Sequence, residues 1–160
     1  TQCAFEQLAL PISRVFITEN EVNFLAFPPV PNSLVIFGAG YGFDALAGAA
    51  WLQHCSVHYW GDIDTHGFAI LDQLRSHLPQ AQSLLMDRAS LMAHAQHWGQ
   101  EPPAVQRDLP RLTATEAALY DDLRHNRVGQ GVRLEQERIG FGCVQAALLA
   151  LSLPHQKAIT

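Results

Sequence analysis

Three short apolar runs constrain this chain more than anything else in it. They are residues 14–18 (RVFIT), 34–37 (LVIF) and 56–60 (SVHYW). None alternates strictly between apolar and polar residues, so neither face of these strands is expected to meet water. Continuous runs of this length suit strands covered on both sides, as in a parallel sheet. Segments of helical character separate them. Residues 43–53 are rich in Ala and Leu, and Phe68, Ile70, Leu71, Leu74 and Leu78 follow helical spacing. Strand, helix, strand, helix, strand predicts an α/β fold with a mostly parallel central sheet flanked by helices.

The rest of the chain is punctuated by turn and cap residues. Residues 22–27 fit one helical turn before the break at Pro28, Pro29 and Pro31. Residues 82–86 (QSLLM) read as a fourth strand, and Ser90 as the N-cap of a short helix reaching about Trp98. Residues 99–110 are Pro-rich and loop-like. Thr113 and Glu116 match a capping box for a helix reaching about Asn126. Gly129 and Gly131 mark a turn, and residues 141–151 read as a last helix. No internal repeat or low-complexity tract interrupts this order.

Hydrophobic residues make up 48% of the 160 and charged residues 16%, a balance that excludes disorder and allows one domain with a core. The apolar runs are too short for a helical membrane span, and no signal peptide is visible at the start. The chain lacks an initiator Met and is expected to be a piece of a longer protein. Its expected division is 1–12 as a linker or edge, 13–153 as the catalytic domain and 154–160 as a tail. Ten basic and 15 acidic residues give a net charge of −5, which argues against a simple DNA-binding module. A metal-dependent nuclease is still allowed, because bound ions offset local negative charge. Cys3, Cys55 and Cys143 form neither a disulfide framework nor a zinc pattern. They suit a reducing cytoplasm and read as small core residues.

Acidic residues stand at the ends of two of these strands. Glu19 follows RVFIT, and Asp62 and Asp64 follow SVHYWG. Open parallel sheets bind ligands beyond the carboxyl ends of their strands. Residues two apart in extended chain point to one side, so Asp62 and Asp64 can converge. The nearby sequence offers them no permanent basic partner. A divalent cation is the natural remedy, and oxygen ligands favour Mg²⁺ or Mn²⁺. The bland alternative makes Asp64 a helix cap and each acid a turn former. Gly61 and Gly67 bracket the motif and are read as leaving room for a phosphate.

The segments 15–24 (VFITENEVNF), 35–42 (VIFGAGYG) and 59–67 (YWGDIDTHG) together resemble the Toprim fold of primases, topoisomerases and related nucleases. The Gly-Asp-x-Asp-x-x-Gly stretch looks closest to the topoisomerase VI A-subunit branch. Over residues 13–151, including 134–139 (LEQERI), the chain resembles the JetD family, nuclease subunits of bacterial Wadjet anti-plasmid systems. The resemblance implies that Glu19, Asp62 and Asp64 are catalytic metal ligands for one or two Mg²⁺ or Mn²⁺ ions, in a domain that hydrolyses DNA. Glu21 and Glu135 are candidates for a second ion. Their bland readings are a solvated helix residue and a surface charge beside Arg133 or Arg138. The implied partners are double-stranded DNA and an SMC-type ATPase complex. A homodimer is an open alternative, and no membrane partner is expected.

His66, Arg88 and Arg14 are candidate DNA contacts, and Arg107 is a weaker one. The bland readings are a polar loop residue for His66 and a surface salt bridge for Arg88. His54, His58, His94 and His97 lack ligand spacing. Tyr59 and Tyr120 read as packing residues, which favours attack by water over a covalent tyrosine link like that of topoisomerase VI. Competing readings are a nucleotide-binding module built on Gly38, Gly40 and Gly42, a non-catalytic Toprim domain that holds a partner, and a phosphatase-like DxD enzyme. The first has G-x-G-x-G spacing in place of the dinucleotide fingerprint. The last would want Asp, not Glu, after the first strand.

Overall fold

The computed structural model describes residues 11–38, 46 and 48–152. Strand β1 (Arg14–Thr18) lies between β2 (Ser33–Phe37) and β3 (Ser56–Trp60), and β4 (Gln82–Ser83) extends the sheet beyond β3. The order is β2-β1-β3-β4 and every pairing is parallel. Val15, Phe16, Ile17, Val57, Tyr59 and Trp60 are all 1% exposed or less. The two inner strands are thus covered on both faces, as their apolar runs require. This is the expected α/β architecture, a parallel sheet flanked by helices and consistent with a Toprim-like arrangement.

β1 and β3 have the predicted boundaries, and β2 begins one residue early. β4 is shorter than the five residues expected. Leu84 N–H still donates to the Tyr59 carbonyl at 2.8 Å, but Leu85 turns to φ 56° and takes the chain out of extended conformation. Residues 43–45 and 47 of the helix expected over 43–53 lie outside the described residues, as do Gly40, Tyr41 and Gly42. Within its C-terminal part, Ala50–His54 forms a 3₁₀ turn.

Helix α1 (Glu21–Leu25) is capped by Asn20. α2 (Thr65–His77) begins three residues before the predicted start at Phe68, because Asp64 caps it. Its Phe68, Leu71 and Leu74 are completely buried. α3 (Arg88–Ala93) is capped by Asp87, whose carboxylate accepts from Ser90 N–H at 2.8 Å. The predicted cap, Ser90, therefore sits inside the first turn. α4 (Ala114–Arg124) has the predicted Thr113–Glu116 capping box. α5 (Phe141–Ser152) buries Val144 and Leu148.

A buried fork joins α2 to α4. Arg75 donates to both Glu116 oxygens, at 2.6 and 3.0 Å. Its remaining donors reach the Ala81 and Arg111 carbonyls, and Ser83 donates to Glu116. The segment expected to be loop, 99–110, contains β5 (Gly99–Gln100), which pairs antiparallel with β6 (Val132–Arg133). Cys55 is buried as expected of a core residue, whereas Cys143 is exposed on α5. Among the described residues no helix is long and apolar enough to cross a membrane.

Candidate active site

The register of the sheet brings the acidic residues to one edge. Thr18 pairs with Trp60, so Glu19 leaves β1 level with Gly61, one strand spacing away. Beyond Gly61 the chain stays extended, because Ile63 forms an antiparallel bridge with Leu134. Ile63 N–H donates to Leu134 O at 2.9 Å, and Leu134 N–H returns a bond at 3.1 Å. With Ile63 pinned and fully buried, Asp62 and Asp64 emerge on the same side.

Both bracketing glycines are required, for a reason other than the one expected. A Cβ on Gly67 would collide with the Asp62 carbonyl oxygen, and one on Gly61 with the Tyr59 hydroxyl. The space they leave is filled by the protein itself and is not open to a phosphate.

Each aspartate has one oxygen committed to the backbone. Asp62 Oδ1 accepts from Gln136 N–H at 2.9 Å, and Asp64 Oδ1 accepts from Gly67 N–H at 2.7 Å. Asp64 is therefore a helix cap as well as a member of the acidic edge. Both second oxygens face Arg133, with Nη2 2.5 Å from Asp62 Oδ2 and Nε 3.4 Å from Asp64 Oδ2. The nearby sequence supplies no basic partner, but the fold brings one from a distance. The partner comes from β6, 71 residues beyond Asp62. Glu135 completes the group, 3.8 Å from Arg133 and 3.6 Å from Arg138, as its bland reading anticipated.

The electrostatics are those of a crowded edge. Burial pushes the Glu19 carboxyl up to about 7; contact with the Tyr59 hydroxyl opposes the rise, and the Asp62 and Asp64 charges add to it. The Tyr59 hydroxyl is buried without a well-aligned hydrogen-bond partner, so it leans on Glu19 rather than securing it. Burial also raises Asp64 to about 6, against the Gly67 N–H; the charges of Glu101 and Asp62 add to the rise and Arg133 reduces it. Burial works against the Arg133 charge, but the bond to Asp62 and the surrounding carboxylates more than offset it and raise its pKa. Among the described residues, no three His, Cys, Asp or Glu side chains stand close enough to hold a metal ion together.

Two further contributors escaped the sequence reading. Glu101, with its side chain 1% exposed, accepts from Thr65 Oγ1 at 2.5 Å, Thr65 N–H at 2.7 Å and His66 N–H at 3.2 Å. It shares the start of α2 with Asp64. Gln136 lies buried against the strand ends, its amide donating to Trp60 O and Thr18 Oγ1 and accepting from Asn20 N–H.

The other candidates are spread more widely. His66 is beside the aspartates, its Nδ1 3.7 Å from Glu101 and buried without a hydrogen bond. Glu21 is exposed in the first turn of α1. Arg88 starts α3, pairs with Asp122 and lines a cleft of about 700 Å³ with Ser83, Thr113 and Glu116. Arg107 is exposed, and its carbonyl accepts from the Tyr120 hydroxyl. Arg14 is at the opposite edge of the sheet, where it donates to Leu151 O and Ser152 Oγ at the end of α5.

The arrangement offers oxygen ligands, one guanidinium and a carboxyl poised near neutrality, all beyond the carboxyl ends of adjacent parallel strands. No curated protein matches the chain. The family model described as Wadjet protein JetD, C-terminal, matches residues 1–148. With nearly its whole length covered by that match, the chain belongs to the Wadjet JetD C-terminal family.

Proposed function

We propose that this chain is a Toprim-type catalytic domain, related to the topoisomerase VI A-subunit branch, that hydrolyses DNA with the help of Mg²⁺ or Mn²⁺. Family membership carries a role in Wadjet defence within a multi-subunit complex. Foreign plasmid DNA as substrate, an SMC-type ATPase as partner and a cytoplasmic location complete the reading.

The observation that carries it is the placement of Glu19, Asp62 and Asp64 beyond the carboxyl ends of the paired strands β1 and β3, on one edge of the sheet, although in the ion-free chain they are not drawn closely enough together to hold an ion. Their donor chemistry fits a hard divalent ion, with carboxylate oxygens throughout. Glu19, Asp62 and Asp64 would hold it, with Glu135 and Glu21 as candidates for a second. An ion bound there would supply a Lewis acid for a phosphodiester oxygen and make bound water more acidic. Glu19, with a pKa of about 7 in the metal-free chain, can accept or return a proton at its carboxylate. Asp64 ties the site to the start of α2, and His66 stands beside it as a candidate phosphate contact.

Water is the proposed nucleophile. Tyr59 is fully buried, and the Tyr120 hydroxyl donates to the Val105 and Arg107 carbonyls, so neither is presented for attack. Arg88 is on the β4 side of the sheet and is kept as a candidate DNA contact. Arg14, tied to α5 at the far edge, has no part in this proposal.

A plasmid-nicking assay on the full-length protein with Mg²⁺ or Mn²⁺ tests the reading. Asp62→Ala and Glu19→Ala are each expected to lower cleavage at least 100-fold while the circular dichroism spectrum stays unchanged. Cleavage at the parent rate in either variant would count decisively against it.

A further inference from the structure

Arg133 pairs with the two aspartates that the proposed function gives to an ion. One oxygen of each aspartate is fixed to a backbone N–H, from Gln136 for Asp62 and from Gly67 for Asp64. That leaves Asp62 Oδ2 and Asp64 Oδ2 converging on a single positive charge, the Arg133 guanidinium, with Glu135 on its flank. Two pre-oriented carboxylate oxygens around one cation are the donors a hard divalent ion seeks. Among the described residues no three acidic or imidazole side chains are gathered closely enough for an ion.

The arginine is seated imperfectly. Guanidinium and carboxylate pair best as a two-bond fork, as Arg75 and Glu116 do here. Arg133 instead makes one bond to Asp62, and its Nε is buried near Asp64 without the alignment of a hydrogen bond. Its side chain is 29% exposed, which leaves a way out to solvent. It is carried by β6, which among the described residues pairs with the two-residue β5 and is continued at Leu134 by the bridge to Ile63. The bridge fixes the backbone beside Arg133, so leaving the aspartates is a movement of its side chain.

We propose that Arg133 is a built-in counter-ion, a latch that holds the acidic edge together in the ion-free chain and is displaced when a divalent cation enters. This rests on reading the acids as metal ligands, and its consequence is competition. Ion binding must break the Arg133 contacts, so the apparent metal affinity is reduced by the share of molecules in which the latch is closed. A site of this kind stays quiet at low metal.

Mn²⁺ binding to the 160-residue chain, measured by calorimetry and by the loss of the free-ion paramagnetic resonance signal, provides the test. Arg133→Gln is expected to bind Mn²⁺ at least 10-fold more tightly than the parent and to gain more in melting temperature when Mn²⁺ is added. Arg133→Lys keeps the charge but cannot span both aspartates, and is expected to fall between the two. It also serves if the glutamine variant does not fold. Equal or weaker binding in these variants overturns the latch, because Arg133 would then be supporting the acids for the ion. Asp62→Asn in the Arg133→Gln background is expected to abolish the gain. If Mn²⁺ still binds that double variant unchanged, or binds no variant at all, the metal-ligand reading itself fails.

Discussion

Gly67 has no room for a side chain. The first turn of α2 passes so close to the aspartate loop that a methyl group there would meet the Asp62 carbonyl oxygen. Backbone against backbone leaves no flexible atom to yield, so Gly67→Ala is expected to cost about 2–4 kcal/mol, measured by urea denaturation. Glu19 presents the opposite case, a residue whose native identity is costly. Its carboxyl is raised from 4.5 to about 7, so the folded chain holds this proton more tightly than the unfolded chain does. Stability from this group is greatest below about 4.5 and falls as pH rises to about 7, where the charge must be carried in a buried place. Glu19→Gln removes that charge. It is expected to stabilise the chain at pH 7.5 by roughly 1–2 kcal/mol, less than the full shift implies because water reaches part of the group. The same change is expected to abolish any metal-dependent cleavage. A melting temperature no higher than the parent's would refute the stability account.

At the scale of elements, α2 and α4 are bound by a salt bridge that behaves unlike a surface pair. Burial alone would push Glu116 up. The Arg75 hydrogen bonds, the Thr113 N–H and the Ser83 hydroxyl reverse this and bring it down to about 2. Stability from this carboxylate is therefore fully present above about 4.5 and is lost as pH falls toward 2. Glu116→Gln leaves Arg75 buried with half its partner and is expected to cost about 3–5 kcal/mol at pH 7, with much of the difference from the parent gone at pH 2.5. Thermal melts of both proteins across that range would show the two curves converging.

Elements of this kind were legible to the degree that their signals are local. RVFIT and SVHYW gave their strands to the residue, and Thr113 with Glu116 gave a helix start. What escaped was decided by distant partners or by a single dihedral angle. QSLLM reads as a full strand, yet Leu85 turns left-handed after two residues. Asp87 caps α3 where Ser90 reads as the cap, whereas the cap at Asp64 is already one of the readings of that residue. The acidic residues themselves could be named from the strand ends. Arg133 could not, although the alternation of Val132, Arg133, Leu134 and Glu135 is a period-two signal for a strand with one polar face. Glu101 sits before two prolines in a loop, and nothing local marks its path to the start of α2.

For the molecule as a whole, the sheet separates two unlike ends. The carboxyl edge carries Glu19 and Glu101 and sets Asp62, Asp64 and Glu135 against Arg133, while Arg14 and the end of α5 meet at the other edge. With a net charge of −5, this body should repel a duplex more than it attracts one. Isolated chain is expected to bind a 30-base-pair duplex more weakly than about 10⁻⁴ M at 150 mM salt, read by fluorescence anisotropy. Grip on DNA would then belong to partners in the complex. A micromolar affinity for the isolated chain would overturn that division of labour.

The distance in sequence between Asp62 and Arg133 also has a meaning in time. A ribosome completes β1, β3 and α2 before it reaches β6. At about 5–20 residues per second, the interval lasts several seconds. Throughout it the nascent sheet carries like charges whose partner, Arg133, has yet to be made.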